Sequence, residues 1–239
     1  MTDLDTLYEV MKIVSGDSSN KTSDIPLFSF EGLPGSGKTT QIKLVTEQLE
    51  CSYGKGYYID LPTKSSIGSI LKNLYSNPTK WNELRERAPW LNPIFISADL
   101  RLALDEAKKE GARFAIMSRG ILSTYYYNLD AYDKQSLNEQ WDSLKNDLKA
   151  FIIPTAIIFL RLPVEEAHKR VIIRNRGPLR KMDEISEMKK DEVKLGEYLT
   201  RLNHIPIHYV NATGTTKSVT SRIVKVLEGY FHDNHNGTI

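Results

Sequence analysis

Residues 27–50 read LFSFEGLPGSGKTTQIKLVTEQLE, and their order decides the fold. The opening LFSFE is a short apolar run stopped by a glycine, the pattern of a buried strand. Gly32 to Thr39 then fits GxxxxGK[ST] without a gap. Over residues 37–50, Ile42, Leu44, Val45 and Leu49 fall on one side of a helix. Strand, loop and helix in this order are the setting that a Walker A phosphate loop requires. The glycines allow positive φ, so successive backbone N–H groups can turn inward onto phosphate oxygens. The helix N-terminus adds partial positive charge. The expected nucleotide-binding residues are therefore Gly32, Pro34, Gly35, Ser36, Gly37, Lys38, Thr39 and Thr40. Lys38 is expected to reach the outer phosphates, and the Thr39 hydroxyl to ligate Mg²⁺.

Outward from this stretch the alternation continues. Further strands are expected at 56–61, 113–118, 155–162 and 206–210. Helices are expected at 67–75, 92–110, 134–149, 164–174, 183–202 and 216–231. Apolar strands alternating with helices point to a three-layer α/β fold, a five-stranded parallel sheet flanked by helices. Ligands of such sheets sit beyond the carboxyl ends of the strands. Function is therefore sought after Glu31, Leu61, Ser118 and Leu162. Residues 1–25 are expected to be an N-terminal extension, poorly ordered and ending in the polar run SGDSSNKTSD. The domain proper is expected to span 26–239.

Composition narrows the function. The 239 residues carry 32 Lys plus Arg against 30 Asp plus Glu, a formal net charge of +2. That balance argues against a nucleic-acid polymer as partner. The single cysteine, Cys51, excludes an internal disulfide and a thiolate zinc site, and makes a cytoplasmic setting the default. No run approaches the roughly 20 apolar residues of a membrane helix, so no membrane partner is expected.

Two more basic features lie where the crevice should be. Arg119 follows the third expected strand and could clamp an acceptor phosphate bidentately. The tyrosines that follow, Tyr126 among them, suit a base or sugar pocket. Residues 167–182 contain Lys169, Arg170, Arg174, Arg176, Arg180 and Lys181 without an acid, and Gly177-Pro178 breaks the run. A mobile arginine loop of this kind, about 174–183, suits closure over a transferring phosphoryl group.

In this order the segments resemble the thymidylate kinase family of nucleoside monophosphate kinases. FEGLPGSGKTTQ (30–41) resembles its phosphate loop, LPTKSSIGSIL (61–71) the segment after its second strand, and ISAD (96–99) the start of its acceptor-side helix. SRGILS (118–123) sits where the family carries an Asp-Arg pair. Residues 162–199 resemble its last crossover helix, lid and following helix, and 205–227 its terminal strand and helix. The resemblance covers about 27–231 and implies an ATP–Mg²⁺ phosphotransferase with a small phosphorylated or nucleoside-like substrate, often dimeric. It implies a metal-side role for Ser118 with Thr39, and acceptor contacts at Asp60, Ile96, Leu100, Arg119 and Tyr126.

The departures from the family pattern all fall on the acceptor side. An acid usually stands at Pro34, Arg then Glu at Asp60 and Leu61, an aromatic at Ile96, an Arg at Leu100 and an Asp at Ser118. The expected function is transfer of the ATP γ-phosphoryl group to a nucleoside or nucleoside monophosphate other than standard thymidylate. Lys38, Arg119, Arg174, Arg176 and Arg180 are the expected catalytic set. A nucleotide-dependent switch or regulatory module without small-molecule transfer is the alternative.

Overall fold

The computed structural model describes residues 23–87, 91–120, 123, 152–174, 181–202 and 205–232. The expected extension over 1–25 and the helix over 134–149 lie largely or wholly outside these residues, as do Tyr126, Arg176 and Arg180.

Five strands form one parallel sheet: β1 (Leu27–Glu31), β2 (Gly56–Asp60), β3 (Phe114–Ser118), β4 (Ala156–Arg161) and β5 (Ile207–Asn211). Their order is β2-β3-β1-β4-β5, which puts β1 and its loop at the centre. The helices are α1 (Lys38–Tyr53), α2 (Ser66–Tyr75), α3 (Pro78–Arg87), α4 (Leu91–Lys109), α5 (Val164–Arg174), α6 (Ile185–Arg201) and α7 (Thr216–His232), with a 3₁₀ turn at Lys181–Asp183. The three-layer parallel fold expected from the alternation is the fold observed.

Helix α3 was not expected. Its sequence, PTKWNELRER, has no continuous apolar face, so hydrophobic periodicity does not reveal it. It is held through Trp81, whose ring meets Tyr75 of α2 edge-on at 4.8 Å.

The core is divided by the sheet. All five residues of β1 are buried, as central strands of parallel sheets are. Phe28 and Phe30 join Ile42, Val45 and Leu49 of α1 and Ile223, Leu227 and Phe231 of α7 in the largest apolar cluster. A second cluster joins Leu27, Ile59, Ala115 and Met117 to Leu100, Ala103 and Leu104 of α4. A third holds Ile67, Leu71, Phe95 and Ile96. Asp99 of α4 is fully buried and accepts hydrogen bonds from Thr63 N (2.7 Å), Thr63 Oγ1 (2.6 Å) and Ser65 Oγ (2.5 Å). Ser65 also caps α2 by accepting from Gly68 N at 2.9 Å. One carboxylate thus pins the segment after β2 to α4.

Candidate active site

The phosphate loop joins β1 to α1, and its glycines serve unlike purposes. Gly35 has φ +81, and a Cβ there would fall 2.2 Å from the Ala167 carbonyl oxygen of α5. Gly32 has φ +136, and a Cβ there would fall 2.7 Å from the Leu160 carbonyl oxygen. These two glycines let the loop lie directly against backbone. Gly37 caps α1 at φ +96 with nothing within 4 Å of a Cβ, so only its backbone conformation calls for glycine.

Lys38 is buried and folds over its own loop. Its Nζ donates to Gly32 O (2.7 Å), Leu33 O (2.9 Å) and Ser36 Oγ (3.4 Å). Burial pushes its ammonium down to about 7, and the Arg119 guanidinium pushes the same way. Glu31 opposes them, and Arg174 adds a smaller downward push.

A cavity of about 480 Å³ opens over the loop. Residues 34–41, Ser118, Arg119, Arg170, Arg174, Ala212, Gly214, Thr216 and Val219 line it. The expected residues Pro34, Gly35, Ser36, Gly37, Lys38, Thr39, Thr40, Ser118, Arg119 and Arg174 are thus brought together. Gly32 contributes from below, through its carbonyl on Lys38.

Asp60, Ile96 and Leu100 stand apart from this cavity. Leu100 is 5 % exposed within the α4 cluster, and Ile96 is buried in the third cluster. Asp60 is exposed at the end of edge strand β2, in register with Ser118 of β3. The neighbouring Tyr58 hydroxyl feels both Asp60 and Ser118. Burial, then the Asp60 charge, push it up to about 12, while Ser118 pulls the other way.

Several contributors escaped the sequence reading. Arg170 lines the cavity one helical turn before Arg174, and Glu166 holds it at 2.5 Å. The loop from β5 to α7 closes the far wall with Ala212, Gly214 and Thr216. Gln41 ties that wall to α1: its Nε2 donates to Thr216 O at 3.2 Å, and its Oε1 accepts from Thr220 Oγ1 at 2.8 Å. Glu31, at the end of β1, accepts from Gly120 N and the Ser123 hydroxyl. The rule that sites lie beyond strand ends covers the β5 loop, but its ATGTT composition has no charge to draw attention.

The chemistry of this arrangement is that of an anion site. The loop backbone, a helix N-terminus, Lys38 and three arginines line one cavity, and Thr39 and Ser118 border the same space. Among the described residues no cluster of three His, Cys, Asp or Glu could hold a metal alone.

The sheet order and the loop define a P-loop nucleotide-binding α/β protein. A family model for thymidylate kinase matches residues 30–223. A probable thymidylate kinase of Sulfolobus acidocaldarius is 29 % identical over 211 residues, covering 86 % of this chain and 98 % of its own. One from Pyrococcus horikoshii is 30 % identical over 211 residues, covering 83 % and 93 %. The crystal structure of thymidylate kinase from Ehrlichia chaffeensis aligns at TM-score 0.53 and 19 % identity, over 87 % of this chain and 99 % of that one, a likeness of fold. The chain belongs to the thymidylate kinase family, a family of ATP-dependent phosphotransferases. Among the described residues, no helix is long and apolar enough to cross a membrane.

Proposed function

We propose that this chain transfers the γ-phosphoryl group of ATP to a nucleoside or nucleoside monophosphate other than thymidylate. One observation carries the reading. The donor residues converge on one cavity, while Leu100, where the family usually has a clamping Arg, lies in an apolar core.

In this mechanism the backbone N–H groups of 35–39 and Lys38 cradle the outer phosphates. Thr39, with Ser118 beside it, would hold Mg²⁺, which neutralises charge on the phosphate oxygens. To reach those phosphates, Lys38 exchanges its bonds to Gly32 O and Leu33 O for phosphate oxygens. Arg119 aligns the acceptor. Arg174, joined by Arg176 and Arg180 from the lid, spreads the charge that develops in transfer. Catalysis is mainly positioning and electrostatics, so a phosphate nucleophile needs no general base. For a hydroxyl nucleophile, Asp60 is the base.

The acceptor preference follows from missing contacts. Each charge-assisted hydrogen bond is worth roughly 1.5–3 kcal/mol. Losing the two arginines usual at positions 60 and 100 would weaken thymidylate on the order of 100-fold or more.

The test is a panel of nucleosides and nucleoside monophosphates with labelled ATP and Mg²⁺. ADP release stimulated by a nucleotide other than thymidylate is the expected result. Thymidylate as the best acceptor would overturn the preference. Hydrolysis that no acceptor accelerates would favour the switch reading, for which the Ser118 replacement speaks.

A further inference from the structure

We propose that Glu31 is a positioning residue that sets Arg119 in the cavity by holding the turn after β3. Glu31 is fully buried (0 %) at the end of β1. Its Oε1 accepts from Gly120 N (2.6 Å), Ser29 Oγ (3.3 Å) and Ser123 N (3.4 Å), and its Oε2 accepts from Ser123 Oγ (2.5 Å). Three of these four donors come from the turn that begins at Arg119. A buried carboxylate is costly unless its lone pairs are met, and here uncharged donors of that turn meet them.

The turn needs such a clamp. Arg119 has φ 65, the one non-glycine with positive φ among the described residues. A side-chain-bearing residue keeps that conformation only where its surroundings over-determine it. Here the Arg119 N–H is fixed by Phe30 O at 3.0 Å, and the next N–H, of Gly120, by Glu31. A Cβ on Gly120 would meet Ser29 Oγ and Met117 Cε at 2.5 Å each, so the peptide is also boxed in sterically. Two consecutive residues of β1 therefore grip two consecutive peptides of the turn. The residue after Glu31 is Gly32, whose carbonyl receives Lys38. One short segment thus addresses both the donor lysine and the arginine opposite it.

The kinetic arm of the test rests on the phosphotransfer reading, and the spectroscopic arm does not. Glu31→Gln keeps the size but loses the charge that strengthens all four bonds, and its amide N–H₂ turns the Ser123 hydroxyl from donor to acceptor. In the ¹⁵N-labelled full chain, the order of the Arg119 Nε–H is expected to fall in Glu31→Gln and, less, in Ser123→Ala. Ser123→Ala removes only the Oε2 bond, which guards against loss of folding. With deoxycytidine and thymidine monophosphates as probes at saturating ATP, the acceptor KM is expected to rise roughly tenfold, the loss of one strong hydrogen bond. The ATP KM is expected to stay within about threefold. In an Arg119→Ala background, Glu31→Gln should add nothing to the acceptor KM. An unchanged Arg119 signal, or equal rises in both KM values with a lower Tm, would overturn the proposal. If no acceptor is turned over, the phosphotransfer reading fails and the Arg119 signal still decides the role of Glu31.

Discussion

Two regions beside β1, the phosphate loop and the packing of α4 against the segment after β2, are held in opposite ways. On the donor half, loop backbone lies on backbone: Gly32 against β4 and Gly35 against α5, with Lys38 threaded through the loop's own carbonyls. Around α4, side chains do the holding: Asp99 ties Thr63 and Ser65, and Leu100 and Ile96 fill apolar clusters. Backbone packing leaves almost no freedom to vary, because each contact excludes any Cβ. Side-chain packing can be exchanged as long as volume is kept. Of the departures from the family pattern, Ile96 and Leu100 fall in the exchangeable side-chain packing and Asp60 on an exposed strand end, while Pro34 and Ser118 line the cavity over the loop.

The phosphate loop depends most heavily on Lys38. Lys38→Ala should lower kcat by roughly 100- to 1000-fold or more, as loss of one preorganised charge does. ADP release with the best panel acceptor is the measurement, and retained activity would remove the donor assignment. Next comes Leu100→Arg, which restores the family residue but buries a charge in an apolar cluster. A cost of at least about 3 kcal/mol is expected. Thermal unfolding should register a drop of roughly 6–12 °C for a chain of this size.

Asp60→Arg is the gentler restoration, because Asp60 is exposed. One regained charge-assisted bond should lower the thymidylate KM roughly 10- to 100-fold, with ATP unaffected. The glycines sharpen the donor half. Gly35→Ala drives a Cβ into the Ala167 carbonyl and should cost roughly 1–3 kcal/mol beyond the strain of its positive φ. Gly37→Ala meets no atom and should cost the strain alone, about 1–2 kcal/mol. Their difference in Tm is the test.

The smallest effect concerns protons. Lys38 has a folded pKa of about 7, below its ordinary 10.5. Between those values the unfolded chain holds a proton that the native loop does not, so this group makes stability rise with pH across about 7 to 10.5. Lys38→Met should flatten that slope. A triphosphate restores the charge, so ATP binding near pH 7.5 should take up a fraction of one proton. Calorimetry in buffers of different ionisation heat measures it.

Fold and donor site were legible because both rest on local patterns. LFSFE, RFAIMS and TAIIFLRL are apolar runs of strand length, and GLPGSGKT is contiguous. The residues expected to meet an acceptor were legible only as departures from a family, since what packs α4 against the segment after β2 is separated by long stretches of chain. Helix α3 has no apolar stripe to read. Glu31 reads as a polar strand end until its partners, about 90 residues away, are seen to be Gly120 and Ser123. Arg170 was readable in principle: its spacing of four from Arg174 places both on one face of α5.

The contact between Gly35 and Ala167 has a mechanical consequence. Helix α5, which carries Arg170 and Arg174, meets the phosphate loop at Gly35 through its own Ala167 backbone, with the Val171 side chain beside the contact. A backbone carbonyl at the point of contact has no rotamer with which to absorb a slide or a tilt. The helix is thus a fixed mount rather than a lever. Arg170 and Arg174 reach the cavity from a backbone held against the loop.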